Sequence, residues 1–190
     1  ATPQYSYDDF QQLLKGSGKT SRAPRAISDN RLMAGALLPP PPDGYAALDG
    51  VPYSYASAEA LADGRSTLVL IVSREDYIAE RLRQALVAFA STLPATQLDT
   101  ALAAVCSAPV SALRKLSRKA GVSFPLLSDP SGAWARTLNV NTGGEVVVYL
   151  IDPSTEAVLS SFVGAGNDFV VRTLVDKVKA ALEQLTAPPP

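Results

Sequence analysis

Thr67-Leu68-Val69-Leu70-Ile71-Val72-Ser73 is an apolar run of strand length, unbroken between its terminal hydroxyls. A strand with one wet face alternates apolar and polar residues, and a strand covered on both faces does not. The run therefore predicts a strand in the middle of a sheet. The period then changes. Ile78, Leu82, Ala85, Leu86 and Phe89 recur at spacings of four, three, one and three, which marks one face of a helix starting near Ser73 and Asp76. Leu102–Cys106 reads as a second buried strand, weakened by its alanines. Strand, helix and strand make a crossover unit, and buried strands alternating with helices demand helices on both sides of the sheet.

Further along, Ser107-Ala108-Pro109 opens a helix with Val110, Leu113 and Leu116 inward. Lys115, Arg118 and Lys119 come late in it, where cations suit the helix dipole, and Gly121 closes it. Phe124–Leu127 is a short strand, and Asp129-Pro130 caps a helix carrying Trp134 and Leu138, with Trp134 at the core or its rim. Glu145–Ile151 and Ala157–Val163 form a hairpin around Asp152-Pro153-Ser154. Asn167 caps a last helix with Val171, Leu174, Val175, Val178, Leu182 and Leu185 on one face. Upstream, Tyr45–Leu48 and Val51–Tyr55 flank Asp49-Gly50, a two-residue hairpin signal. The reading is an α/β fold, a thioredoxin-like mixed sheet flanked by helices. Leu70, Leu127, Leu150 and Leu174 are expected in its core.

Phe124-Pro125-Leu126-Leu127-Ser128-Asp129-Pro130, followed by Gly132, Ala135 and Leu138–Val140, resembles the FPLLSDP stretch of peroxiredoxins of the AhpC/TSA group. Tyr149-Leu150-Ile151-Asp152 is similar to the strand that ends in FIID in that family. The resemblance spans roughly residues 37–165. It implies a peroxiredoxin-like form of the thioredoxin fold. It also implies a peroxide-reducing thiolate in a Pro-xxx-Thr-xx-Cys loop after the first buried strand, supported by an Arg from the FIID strand. This chain departs there. The loop reads Ser73-Arg74-Glu75-Asp76-Tyr77-Ile78-Ala79-Glu80, without Cys, Thr or Pro. The peroxidatic position falls near Ala79 or Glu80, and the Arg falls at about Val146, beside Glu145. Carboxylates there oppose a thiolate. The expectation is a divergent member that keeps the fold and none of the catalytic residues.

Composition narrows the chemistry further. The 190 residues contain no histidine and one cysteine, Cys106. That excludes Ser-His-Asp and Cys-His catalysis, His-ligated metals, an internal disulfide and a paired-cysteine redox site. No catalytic, cofactor or metal site is expected. A net charge of −1 and an isoelectric point near 5.5 give no basic field for nucleic acid. Apolar runs such as Leu68–Val72 and Val146–Ile151 are far shorter than the roughly 20 residues of a membrane-spanning helix. Cys106 is the remaining candidate for thiol chemistry. Its place at a strand end before a helix could lower its pKa, but its Ala-Val surroundings suit a buried, inert thiol.

Three zones are expected: an N-terminal arm over 1–44, the domain over 45–186 and a proline tail over 187–190. Ser6 and Asp9 have capping spacing, and Tyr7, Phe10, Leu13 and Leu14 share one face of a short helix ended by Gly16. So short a helix needs a surface to pack on. Lys15, Lys19, Arg22, Arg25 and Arg31 follow against Asp29 alone, and then Pro39–Pro42 form a stiff spacer. Tyr7, Phe10, Leu13, Leu14, Lys15, Lys19, Arg22 and Arg25 are thus the candidate partner-binding residues. Gly16-Ser17-Gly18-Lys19-Thr20 imitates the end of a phosphate-binding loop, but the leading glycine is replaced by Leu13 and a helix precedes it instead of a strand. The expectation is a non-catalytic accessory subunit of a larger assembly, peripheral to any membrane. The Ala- and Pro-rich chain starts without Met, which favours an organelle or an exported compartment, and the assembly expected is a chloroplast photosynthetic supercomplex of an alga. The alternatives are a thiol-dependent antioxidant enzyme using Cys106, and a small-molecule binding module in the vacated cleft.

Overall fold

A computed structural model of the chain describes residues 31–40, 45–46, 52–53, 58–74, 80–93, 99–140, 145–165 and 171–186. The elements are β1 (Tyr45–Ala46), β2 (Pro52–Tyr53), α1 (Ala58–Ala62), β3 (Thr67–Ser73), α2 (Glu80–Thr92), β4 (Thr100–Cys106), α3 (Val110–Ala120), β5 (Leu126–Ser128), α4 (Ala133–Thr137), β6 (Glu145–Ile151), β7 (Val158–Ala165) and α5 (Val171–Thr186). Five strands form one sheet in the order β5-β4-β3-β6-β7. β3 pairs in parallel with β4 and antiparallel with β6, β4 pairs in parallel with β5, and β6 and β7 form the expected hairpin. β1 and β2 make a separate antiparallel pair, Tyr45 opposite Tyr53.

All seven residues of β3 are buried, as a central strand with two covered faces requires. Its side chains divide by the two-residue period of a strand. Val69 and Ile71 enter one core with Leu82, Leu86 and Phe89 of α2, Leu113 and Leu116 of α3, Val148 and Leu150 of β6, and Leu174, Val178 and Leu182 of α5. Leu68, Leu70 and Val72 enter the other with Leu61 of α1, Leu127 of β5, Trp134 of α4, and Val147, Tyr149 and Ile151 of β6. Leu70, Leu127, Leu150 and Leu174 are all buried, two in each core. The mixed five-stranded sheet between two helical layers is the thioredoxin-like architecture read from the pattern.

Several boundaries differ. β4 begins at Thr100 instead of Leu102, because pairing with β3 carries its alanines where hydrophobicity alone is faint. α1 was not expected, since five residues carry no helical period. Gly121 ends α3 as foreseen, in the left-handed conformation with φ 67° and its N–H donating to the Ser117 carbonyl at 2.9 Å. Leu185 is largely exposed and does not extend the buried face of α5.

The largest correction concerns the arm. The compact unit that carries the sheet begins at Leu32, so the domain does not start at Tyr45. Residues 32–40 are a strap lying along the start of β7. Gly35 N–H donates to the Val158 carbonyl, Val158 N–H to the Ala36 carbonyl and Leu38 N–H to the Glu156 carbonyl, each at 2.8 Å. Leu38 is buried. The indole Nε1 of Trp134 donates to the Pro39 carbonyl at 3.0 Å. The Tyr149 hydroxyl accepts from Leu32 N–H at 3.2 Å and donates to the Leu138 carbonyl at 2.7 Å. Pro39 is therefore part of the domain and not of a spacer. Tyr7, Phe10, Leu13, Leu14, Lys15, Lys19, Arg22 and Arg25 lie outside the described residues, as do Gly16–Thr20, Asn167 and the tail 187–190.

Candidate functional site

The parallel strands β3, β4 and β5 end side by side. In register, Ser73 lies opposite Cys106, and Cys106 opposite Ser128. This carboxyl edge is where parallel sheets commonly place a site. The family resemblance puts its catalytic loop at the same edge, between β3 and α2. Residues 75–79, including Ala79, lie outside the described residues, and the other candidate position, Glu80, is the first residue of α2.

Asp129 organises the edge. It is buried, and a buried carboxylate must be hydrogen-bonded. Its Oδ1 accepts from Trp134 N–H at 3.3 Å and its Oδ2 from Ala135 N–H at 2.9 Å, so it satisfies two first-turn donors of α4 as a cap would, although the N-cap residue itself is Gly132. Its own N–H donates to the Cys106 carbonyl at 2.9 Å, tying the cap to the end of β4. The Ser128 hydroxyl donates to the Ala108 carbonyl at 2.6 Å, across the turn into α3. Gly132 stands at φ 70°, and a Cβ there would meet Arg74 Nε at 3.1 Å. The guanidinium of Arg74 thus lies over the turn after Asp129, and a side chain at 132 would displace it. The sequence reading missed this contact. Its one signal was a glycine three residues after Asp129, and no local pattern assigns such a glycine to an arginine 58 positions upstream.

Cys106 is buried, and its thiol is pushed up to about 12, first by burial and then by the charge of Asp129. Val146, where the resemblance would put an arginine, is buried against the α2, α3 and α5 layer and pairs with Ser73. Among the described residues, no group of three or more His, Cys, Asp or Glu side chains could hold a metal ion, and no helix is long and apolar enough to cross a membrane. The described part of the edge holds a capping carboxylate, a turn and a protonated thiol.

The thiol makes stability depend on alkaline pH. The unfolded thiol ionises near 9.0 and the folded one near 12. A raised folded pKa contributes its full stability below the unfolded value, and that stability is lost as pH rises through the interval. The slope is about 1.4 kcal/mol per pH unit. From pH 9 to 10.5 the native chain is expected to lose about 2 kcal/mol more than Cys106→Ala, measured by urea unfolding. Equal losses in both proteins would mean that the thiol ionises in the folded state.

With this geometry in view, the fold has clear relatives among solved structures. The peroxidoxin BcpB of Mycobacterium tuberculosis superposes with a TM-score of 0.68 at 17% identity, over 83% of this chain and 100% of that one. The bacterioferritin comigratory protein of Xanthomonas campestris, described for its alkyl peroxide reduction activity, gives 0.66 at 21% over 82% and 100%. A PrxQ variant from Xylella fastidiosa gives 0.62 at 19% over 80% and 98%. No family model matches the sequence, and no curated protein is significantly similar to it. The chain has the peroxiredoxin-like form of the thioredoxin fold.

Proposed function

We propose that this chain is a non-catalytic peroxiredoxin-like domain that works as an accessory, partner-binding subunit of a larger protein assembly. The state of Cys106 carries this reading. Peroxide reduction by a thiol requires the thiolate at an accessible sulfur. The one cysteine of this sequence is buried, and its pKa of about 12 leaves it protonated at neutral pH. The departures at Ser73–Glu80 and Val146 support the same reading. The rival, an antioxidant enzyme working through Cys106, draws on the activities named for the structural relatives. As the assembly to test first we propose the one suggested by composition, a plastid photosynthetic supercomplex.

Hydrogen peroxide and an alkyl hydroperoxide, each with dithiothreitol or thioredoxin as reductant, separate the two readings. The chain is expected to consume peroxide no faster than Cys106→Ser and no faster than buffer. Turnover that disappears in Cys106→Ser would establish the enzyme and overturn the accessory role. Native size separation of the source extract should place the chain in a large complex; elution at the size of the free chain would refute the subunit reading.

A further inference from the structure

We infer that the solvent face of α3 is an electrostatic docking strip for an acidic surface on a partner protein. The helix Val110–Ala120 contains Arg114, Lys115, Arg118 and Lys119 and no carboxylate. All four cations are exposed, while Ala112, Leu113 and Leu116 on the opposite face are buried in the core. Residues four apart on a helix are neighbours, about 5–6 Å between their Cβ atoms. Arg114 with Arg118 and Lys115 with Lys119 are therefore like-charge neighbours, which weaken a helix.

The dipole explains only part of this arrangement. It favours cations in the last turn, where only Arg118 and Lys119 stand; Lys115, which the sequence reading grouped with them, lies a turn too early, as does Arg114. Among the described residues no carboxylate forms a salt bridge with Lys115, Arg118 or Lys119. The last helix of the same chain behaves differently and sets Lys179 four residues before Glu183, 3.9 Å apart. Lys115, Arg118 and Lys119 concentrate one sign where pairing was open to them.

Charge complementarity selects the occupant. The chain sums to −1 and α3 to +4, so the rest carries −5. A membrane or a nucleic acid carries negative charge over a far larger extent than the strip, and a net negative remainder opposes its approach. A local cluster of Asp and Glu on a protein meets the strip alone, within a screening length of about 8–10 Å. No apolar flank is left on α3 for insertion into lipid, because its apolar side is in the core. A partner helix with carboxylates at the same four-residue spacing matches the strip.

This inference rests on the proposed binding role and names the partner's chemistry, but its test is independent of the peroxide assay. The probe is a fluorescein-labelled 20-residue polyglutamate, titrated with the full chain at low and at physiological salt. Lys115→Glu with Arg118→Glu turns both four-apart repulsive pairs into attractive ones, which offsets the loss of a last-turn cation, so the variant should unfold close to the native chain. It is expected to bind polyglutamate about tenfold more weakly. Arg172→Glu with Lys177→Glu changes net charge equally on exposed positions of α5 and should bind like the native chain. Salt should weaken binding of the native chain. Equal loss in both variants, or no binding at low salt, would overturn the strip. So would tighter binding to phosphatidylglycerol vesicles or to a 20-base-pair DNA duplex than to polyglutamate.

Discussion

Trp134→Ala is expected to destabilise the domain by about 3–5 kcal/mol, the usual cost of emptying a large aromatic site in a core. The indole is fully buried and is the largest such side chain in the structure. It packs with Leu70, Val72, Leu127 and Tyr149 on one face of the sheet. Its Nε1 also holds the strap through the Pro39 carbonyl. Trp134→Phe separates the two roles. It keeps most of the volume and loses the hydrogen bond, for about 1 kcal/mol. Urea unfolding of the three proteins measures both, against a total stability on the order of 5–15 kcal/mol. If Trp134→Ala stays within 1 kcal/mol of the native chain, the strap and the sheet do not close over the indole, and the domain boundary at Leu32 is wrong.

Leu70→Ala should cost roughly 2–5 kcal/mol, and for a different reason. Leu70 is the middle residue of β3, with Ala103 of β4 on one side and Tyr149 of β6 on the other. Backbone pairing on both edges holds its position, so the surroundings have little freedom to collapse into the space a leucine leaves. The small Ala103 cannot fill it. A loss below about 1 kcal/mol would mean that Thr67–Ser73 is not a central strand, and the fold would fall with it.

These two residues differ in how readable they were. Leu70 lies in an apolar run whose length and lack of alternation have one simple explanation, burial on both faces. Trp134 reads from the sequence as core or rim, and the five-residue helix that carries it is too short for a period to choose between them. Its depth depends on the strap above it, and the strap's partners at Glu156 and Val158 are about 120 positions away in the chain. Prolines at 39–42 suggested a spacer for the same reason: a segment with no period of its own gives no local sign that it docks.

The edge of the sheet shows the same division. Asp129 was legible as a cap, since an acidic residue before Pro130 and a helix is a local signal, and the carboxylate does accept two helical N–H groups. Its influence on Cys106 was not. The sequence left the thiol between two states, one activated by a following helix and one inert in an Ala-Val run. Burial and the neighbouring carboxylate decided for the inert state. Desolvation is set by how many side chains close around an atom, and that follows from packing.

Taken alone, the sequence determined the strand and helix order, the central place of Thr67–Ser73 and the peroxiredoxin-like character of the fold. It also held the absence of histidine and the single cysteine. The element order, the central strand and the residue counts are properties of composition or of short-range period, and the peroxiredoxin-like character rests on the resemblance of Phe124–Pro130 and Tyr149–Asp152 to that family; the chain carries all of these in every conformation. Only the tertiary structure decided that residues 32–40 belong to the domain, that Arg74 lies over Gly132, and that the Cys106 thiol stays protonated. Each of these depends on groups far apart in sequence, and their interaction energies exist only once the sheet has brought them together.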